Sequence, residues 1–225
     1  MIDVKHFFPK TGPWEGGTNV TIEGVNLGKT FADIVGGIMV AGIPCHPYEV
    51  LYVPTQRIVC LVDGLKTSES RRGPVIVRVS DFKGESADYY EFVDPIIESV
   101  YPTSGSISAI ADAKLTIRGK NLNAGSSIQA SIDGALPCAI ISINATHVIC
   151  QTTASNFSQS GNLLMTFDRG VRRFTYQIFQ YIEDRNTSQP ELNAVKYAKG
   201  VPSGGTVISV SGNNFQHIQV LRSNL

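Results

Sequence analysis

Thr21-Ile22-Glu23-Gly24-Val25-Asn26-Leu27 recurs as Thr116-Ile117-Arg118-Gly119-Lys120-Asn121-Leu122, and again as Ser209-Val210-Ser211-Gly212-Asn213-Asn214-Phe215. From Gly24 to Gly119 is 95 positions and from Gly119 to Gly212 is 93. That spacing is the length of a whole domain, so the repeat describes a string of separate cores rather than a solenoid of short units. Val20 and Ile22 alternate with Asn19 and Thr21, as Leu115 and Ile117 alternate with Lys114 and Thr116. A period of two marks a strand with one buried face.

Working outward, each copy is preceded by a turn rich in Gly and Pro: Pro9 to Gly17, Pro102 to Gly105, and Lys199 to Gly205. Each reads as strand, tight turn, strand. Downstream, Ala41-Gly42-Ile43-Pro44-Cys45 corresponds to Gly134-Ala135-Leu136-Pro137-Cys138, and Arg57-Ile58-Val59-Cys60 to His147-Val148-Ile149-Cys150. Each complete repeat closes on an aromatic strand, Tyr89-Tyr90-Glu91-Phe92 or Phe174 to Tyr181. No stretch has convincing helical periodicity, which disfavours parallel α/β architectures. The predicted fold is all-β: tandem antiparallel sandwiches over residues 1–94 and 95–187, with an incomplete third copy at 188–225. That third copy has residues for two strands, so Val207, Ile208 and Val210 are expected to be poorly covered.

The chain has 225 residues with 19 basic and 19 acidic side chains. This balance supplies no long-range field toward nucleic acid or an anionic bilayer. No apolar run approaches the roughly 20 residues of a membrane span, and Met1 to Lys5 is not the start of a signal peptide. If the protein is secreted or membrane-bound, its targeting and anchoring parts are expected outside this chain.

Four cysteines fall two per repeat at equivalent positions, Cys45 with Cys60 and Cys138 with Cys150. Pairing within each repeat is the natural connectivity of the three available. Zinc is the competing reading, with His46 beside Cys45 and His147 near Cys150, but no Cys-x-x-Cys pair sets two ligands in one turn. Free core thiols are the remaining alternative. Acceptor sites for N-linked sugar stand at Asn19, Asn144, Asn156 and Asn186, where about two are expected by chance. Asn19 holds the polar phase of its strand and Asn186 lies in a linker, positions that tolerate a bulky sugar.

No catalytic, cofactor or metal residues are assigned. The four histidines are scattered, and neither a Gly-x-Ser-x-Gly elbow nor a His-Glu-x-x-His helix occurs. Gly12 to Gly17 resembles a phosphate loop only superficially, lacking the Lys-Ser/Thr ending and the following helix. Trp14, within that turn, is expected to pack against a neighbouring domain. Arg71-Arg72 and Arg169 with Arg172-Arg173 are expected in solvated loops, with an acidic partner as the lesser reading. Pro95, in the short junction after Val93, is expected to restrict hinge motion between repeats.

The pattern at Gly12 to Leu27 resembles the IPT/TIG domains of plexins, with scatter-factor receptor tyrosine kinases as relatives. Asn121 to Ser126 and Phe179 to Asp184 are similar to plexins of the A type. Ala111-Asp112 replace the Gly-Gly of the other repeats, and two extra residues precede Gly119, so the first turn of the second repeat should differ in shape. The resemblance implies immunoglobulin-like sandwiches of the E-set kind in a cell-surface ectodomain of a single-pass protein. It also implies a stalk between a semaphorin-binding head and the membrane, with neighbouring ectodomain domains as partners and the ligand reached through the full receptor. Two other roles stand beside it: direct protein binding through sandwich loops, as antibody-like sandwiches do, and DNA binding, for which the same domain type serves in some transcription factors. Neutral charge, paired cysteines and sequons set the latter aside.

Overall fold

The recurring motif owes its glycine to a close approach between two strands. Asp3–Phe8 (β1) pairs antiparallel with Asn19–Val25 (β3), and the register slips by one residue between Val4 and His6, opposite Gly24 and Glu23. A side chain at Gly24 would run into the carbonyl oxygen of Asp3. Ile96–Tyr101 (β9) and Lys114–Lys120 (β11) repeat this arrangement, with the slip at Arg118/Gly119 and the Ile96 carbonyl against Gly119. Asn26 and Asn121 follow at positive φ, which Asn tolerates better than most residues. Their side-chain amides donate to the carbonyls of Met1 and Asp94. Leu27 and Leu122 then turn into the cores, fully buried.

The computed structural model describes residues 1–106, 114–155, 158–182, 191–196, 205, 207 and 209–213. Ala111-Asp112, Asn156, Asn186, Ile208 and most of the third glycine-rich turn lie outside them. Met1–Ile182 form one compact unit and Glu183–Leu225 another.

In the first repeat the remaining strands are Thr11–Pro13 (β2), Ile38–Val40 (β4), Ile43–Pro47 (β5), Arg57–Val62 (β6), Arg71–Val79 (β7) and Phe82–Val93 (β8). In the second they are Ser104–Ser106 (β10), Ile128–Ile132 (β12), Leu136–Ile143 (β13), His147–Thr152 (β14), Gln159–Phe167 (β15) and Gly170–Ile182 (β16). The ladder orders are β1-β3-β6-β5-β4-β7-β8-β2 and β9-β11-β14-β13-β12-β15-β16-β10. These are the same topology, including a short parallel pair at one edge, β2 on β8 and β10 on β16. Each ladder curls on itself to enclose one core.

Val20, Ile22, Ile58, Val75 and Phe92 belong to the first core; Leu115, Ile117, Val148, Met165 and Phe167 belong to the second. The alternation read in β3 and β11 is thus the core-facing phase. Edge-to-face aromatic pairs sit at equivalent places, Tyr90 with Phe92 at 5.1 Å and Phe179 with Tyr181 at 5.0 Å between ring centroids. Neighbouring strands are bridged by disulfides Cys45–Cys60 (β5 to β6) and Cys138–Cys150 (β13 to β14), each with Cα atoms 5.4 Å apart.

The second unit contributes Glu191–Lys196 (β17) and Ser209–Asn213 (β18) as an antiparallel pair. Its register slips between Leu192 and Ala194, opposite Gly212 and Ser211. This is the same slip at the same motif glycine as in the two complete repeats. Leu192, Val195, Val207 and Val210 are exposed.

Candidate functional site

The polar groups with the most constrained geometry gather where the first repeat meets the second. β8 ends at Val93 and β9 begins at Ile96, so only Asp94 and Pro95 connect the sandwiches. On the first-repeat side stands the turn after β2. Gly16 N–H donates to Pro13 O at 2.9 Å, Gly17 N–H to Val62 O at 2.9 Å, and Leu65 N–H to Trp14 O at 2.7 Å. Gly16 and Gly17 both have positive φ, which suits glycine. The turn is thereby fastened to the end of β6.

On the second-repeat side stand the segment after Leu122 and the β15–β16 turn. Asp168, at positive φ, accepts from Ser126 N–H, Ser126 Oγ at 2.8 Å and Ser127 N–H at 2.8 Å. This carboxylate holds Ser126 and Ser127 in place, and its second oxygen, which also accepts from Ser126 N–H at 3.1 Å, faces the first repeat. Thr18, fully buried, donates its hydroxyl to that oxygen, Oδ2, at 2.6 Å. Asn19 N–H donates to Ser126 Oγ at 2.9 Å, and Gly125 N–H to Thr11 O at 3.0 Å. Arg169 N–H reaches Gly16 O at 3.3 Å. Tyr90 lies beside Thr18; burial, reinforced by the Asp168 charge, pushes its phenol far above the ordinary range.

Arg172 completes the junction. Its Nη1 donates to Glu15 Oε1 at 2.6 Å and its Nη2 to Glu15 Oε2 at 3.3 Å, the two-pronged geometry that suits a guanidinium to a carboxylate. Nη2 and Nε also donate to Asp94 Oδ1, at 2.5 and 2.9 Å, and Nε to Pro95 O at 3.0 Å. The Arg172 and Glu15 side chains are 18% and 20% exposed, so solvent screens this pair only partly. Burial disfavours the Arg172 charge, but the bonds and charges of Glu15 and Asp94 outweigh it and raise its pKa.

Glycines let the backbones close. A side chain at Gly17 would meet Arg169 Cγ at 2.5 Å, and one at Gly170 would meet Glu15 Oε2 at 2.7 Å. The glycine-rich turn that superficially resembles a phosphate loop is therefore half of an interface between domains.

Arg71 and Arg72 lie in strand β7, not in a loop, and Arg72 stacks over Tyr89 at 5.1 Å. Arg172 and Arg173 are likewise in strand β16, and Arg169 belongs to the turn before it. The structure departs from the loop expectation because charge density carries no information on the pairing partner that fixes a strand. Trp14 is half-buried within the junction turn. Asn19 is exposed at the rim of the junction, its Oδ1 accepting from Tyr48 Oη at 3.1 Å. Asn144 is exposed in the β13–β14 turn. Asn156 and Asn186 lie outside the described residues.

His46 Nε2 contacts Asp63 at 2.8 Å and His147 Nδ1 contacts Thr146 Oγ1 at 2.9 Å, while the neighbouring cysteines are in disulfides. Among the described residues, no cluster of three or more His, Cys, Asp or Glu is placed to hold a metal ion. None of the described helices is long and apolar enough to cross a membrane.

Glu15, Asp94 and Asp168 escaped sequence reasoning, and Arg172 stood out only as part of a basic spot for which an acidic partner was the lesser reading. A signal was present in the internal repeat. Asp168 and Arg172 occupy the hairpin positions held by Ser80 and Gly84 in the first repeat, as the β7–β8 and β15–β16 registers show. Charge appears where the equivalent hairpin has none.

A family model described as the IPT/TIG domain matches residues 4–93 and 95–181. Similar curated proteins include Plexin-A4 of Mus musculus, 34% identical over 220 residues, and Plexin-2 of Caenorhabditis briggsae, 33% identical over 224. These alignments cover 96% and 97% of this chain but only 11% and 12% of those proteins. Among solved structures, the full extracellular region of Plexin A4 matches with a TM-score of 0.77 and 32% identity, over 97% of this chain and 18% of that one.

Proposed function

Starting from the fact that this chain belongs to the IPT/TIG domain family, we propose that it is a length of extracellular stalk in a plexin-like semaphorin receptor. In this reading it spaces and orients a ligand-binding head relative to the membrane. It acts through geometry rather than catalysis, its partners are the neighbouring ectodomain domains, and a transmembrane segment elsewhere in the receptor attaches it to the cell surface.

The observation that carries the proposal is the junction of the first two repeats. A spacer that orients a distant head needs its units held at one angle. A two-residue connection, backbone bonds from Gly125 and Arg169, and the Arg172 contact with Glu15 and Asp94 supply that constraint. Two disulfides suit an oxidising, extracellular setting. The similarity to the Plexin A4 extracellular region supports the same location.

The test uses the whole chain carrying one spin label on each of the first two sandwiches. A single narrow distance distribution is expected in solution, and a broad one would defeat the spacer reading. In a companion titration, saturable nanomolar binding of a semaphorin to this chain alone would move ligand contact into it and overturn the stalk assignment.

A further inference from the structure

We propose that Asn144 carries an N-linked glycan whose first N-acetylglucosamine units shield Ile141 and Ile143. The inference rests on the extracellular reading, because the sugar is attached only in the secretory pathway.

The strand β13 outruns its core. Cys138 is buried, whereas Ile141 and Ile143 are 54% and 38% exposed. Two isoleucines near a strand end, with register irregular between Ile140 and Ser142, present apolar surface that the sandwich does not cover.

Immediately after them the chain forms the acceptor turn Asn144-Ala145-Thr146. Asn144 Oδ1 accepts from Thr146 N–H at 2.9 Å, Thr146 Oγ1 at 3.2 Å and His147 N–H at 2.8 Å. Asn144 N–H donates to His147 O at 2.9 Å. The Ala145 and Thr146 carbonyls accept from Leu122 N–H and Gly119 N–H, each at 3.0 Å, so the turn is tied to the recurring motif. The side-chain oxygen is thus committed to the turn. Among the described residues the amide nitrogen Nδ2 has no partner, and the residue is exposed.

Nδ2 is the atom that takes the sugar. It loses one proton and forms a C–N bond to the anomeric carbon of an oligosaccharide carried on a lipid diphosphate, which departs as the free lipid diphosphate. The folded turn carries the modified residue immediately after Ile143 in the chain. The C–H face of a pyranose ring is the chemistry that covers an aliphatic side chain, while its hydroxyls remain in water.

The experiment secretes the whole chain from glycosylating cells and releases glycans with an amidase in heavy-oxygen water. An isotope-labelled aspartate at position 144 is expected. It should vanish in Asn144→Gln and Thr146→Ala and persist in Thr146→Ser. Deglycosylating the folded protein should raise binding of an apolar dye, and the rise should be lost in Ile141→Thr with Ile143→Thr.

A secreted, disulfide-bonded chain with sugar at another sequon but none at Asn144 would overturn this site and leave the stalk reading standing. Labelling without any change in dye binding would overturn the shielding. Retention in the cell with free thiols and no sugar anywhere would overturn both the site and the extracellular reading.

Discussion

The guanidinium of Arg172 grips the carboxylate of Glu15 through two hydrogen bonds, although the residues stand 157 positions apart and in different sandwiches. The same group also binds Asp94 and the Pro95 carbonyl, so one side chain joins both repeats and the connection between them. Truncation would strand two carboxylates at a partly buried surface. Arg172→Ala is expected to weaken the coupling of the two sandwiches by about 1–3 kcal/mol, below the cost for a fully buried pair. Spin-label distances should broaden while circular dichroism stays native. A distribution as narrow as the parent's would show that Arg172 does not set the angle.

The connection itself should matter less. Pro95 restricts its own backbone, yet its carbonyl and Asp94 are already held by Arg172. Pro95→Gly is therefore expected to change solution scattering much less than Arg172→Ala does. The reverse ranking would return control of the angle to the linker.

The motif glycines make a stability prediction. Gly24→Ala and Gly119→Ala place a methyl against the Asp3 and Ile96 carbonyl oxygens, where neighbouring strand backbone must give way. Overpacking of this kind typically costs about 1–3 kcal/mol. Chemical denaturation should show a lower midpoint with little change in slope, and a midpoint within error of the parent's would contradict the close-approach account.

Removing the Cys138–Cys150 bridge frees a loop of sequence separation 12. The chain-entropy model puts the loss at roughly 3 kcal/mol. A double Cys138→Ala, Cys150→Ala variant should have its second repeat melt before the first, visible by hydrogen exchange in β13 and β14. Uniform exchange across both repeats would argue against this local staple.

Asp88 offers a pH test. The hydrogen bond from Lys10, at 2.6 Å, and then the lysine charge hold its carboxyl below the ordinary value of 3.8. A folded pKa lower than the unfolded one contributes stability above the unfolded value, lost as pH falls through the folded one. Carboxyl-carbon resonances should place the Asp88 midpoint below the ordinary value, and Lys10→Met should raise it. An unmoved midpoint would rule out the pair in solution, where both groups are substantially exposed.

What the sequence made legible was whatever repeats or alternates. The period of two in β3 and β11 is enforced by one buried face, so Val20, Ile22, Leu115 and Ile117 disclosed their orientation without coordinates. The glycine of the recurring motif marked a place where a side chain is intolerable, and the equivalent cysteines marked neighbouring strands.

The junction was different. Glu15, Asp94, Asp168 and Arg172 look in sequence like ordinary polar positions on solvent-facing strands and turns, because polarity alone does not say whether water or another domain lies opposite. Only the folded ladders bring the Gly12–Gly17 turn against the β15–β16 hairpin, and a contact spanning 157 positions has no local signature. The sequence by itself determined the sandwiches, their boundaries of alternation and the recurring turn. Tertiary structure alone decided which charges became the lock between them, because ion pairing depends on distances in space that no periodicity encodes.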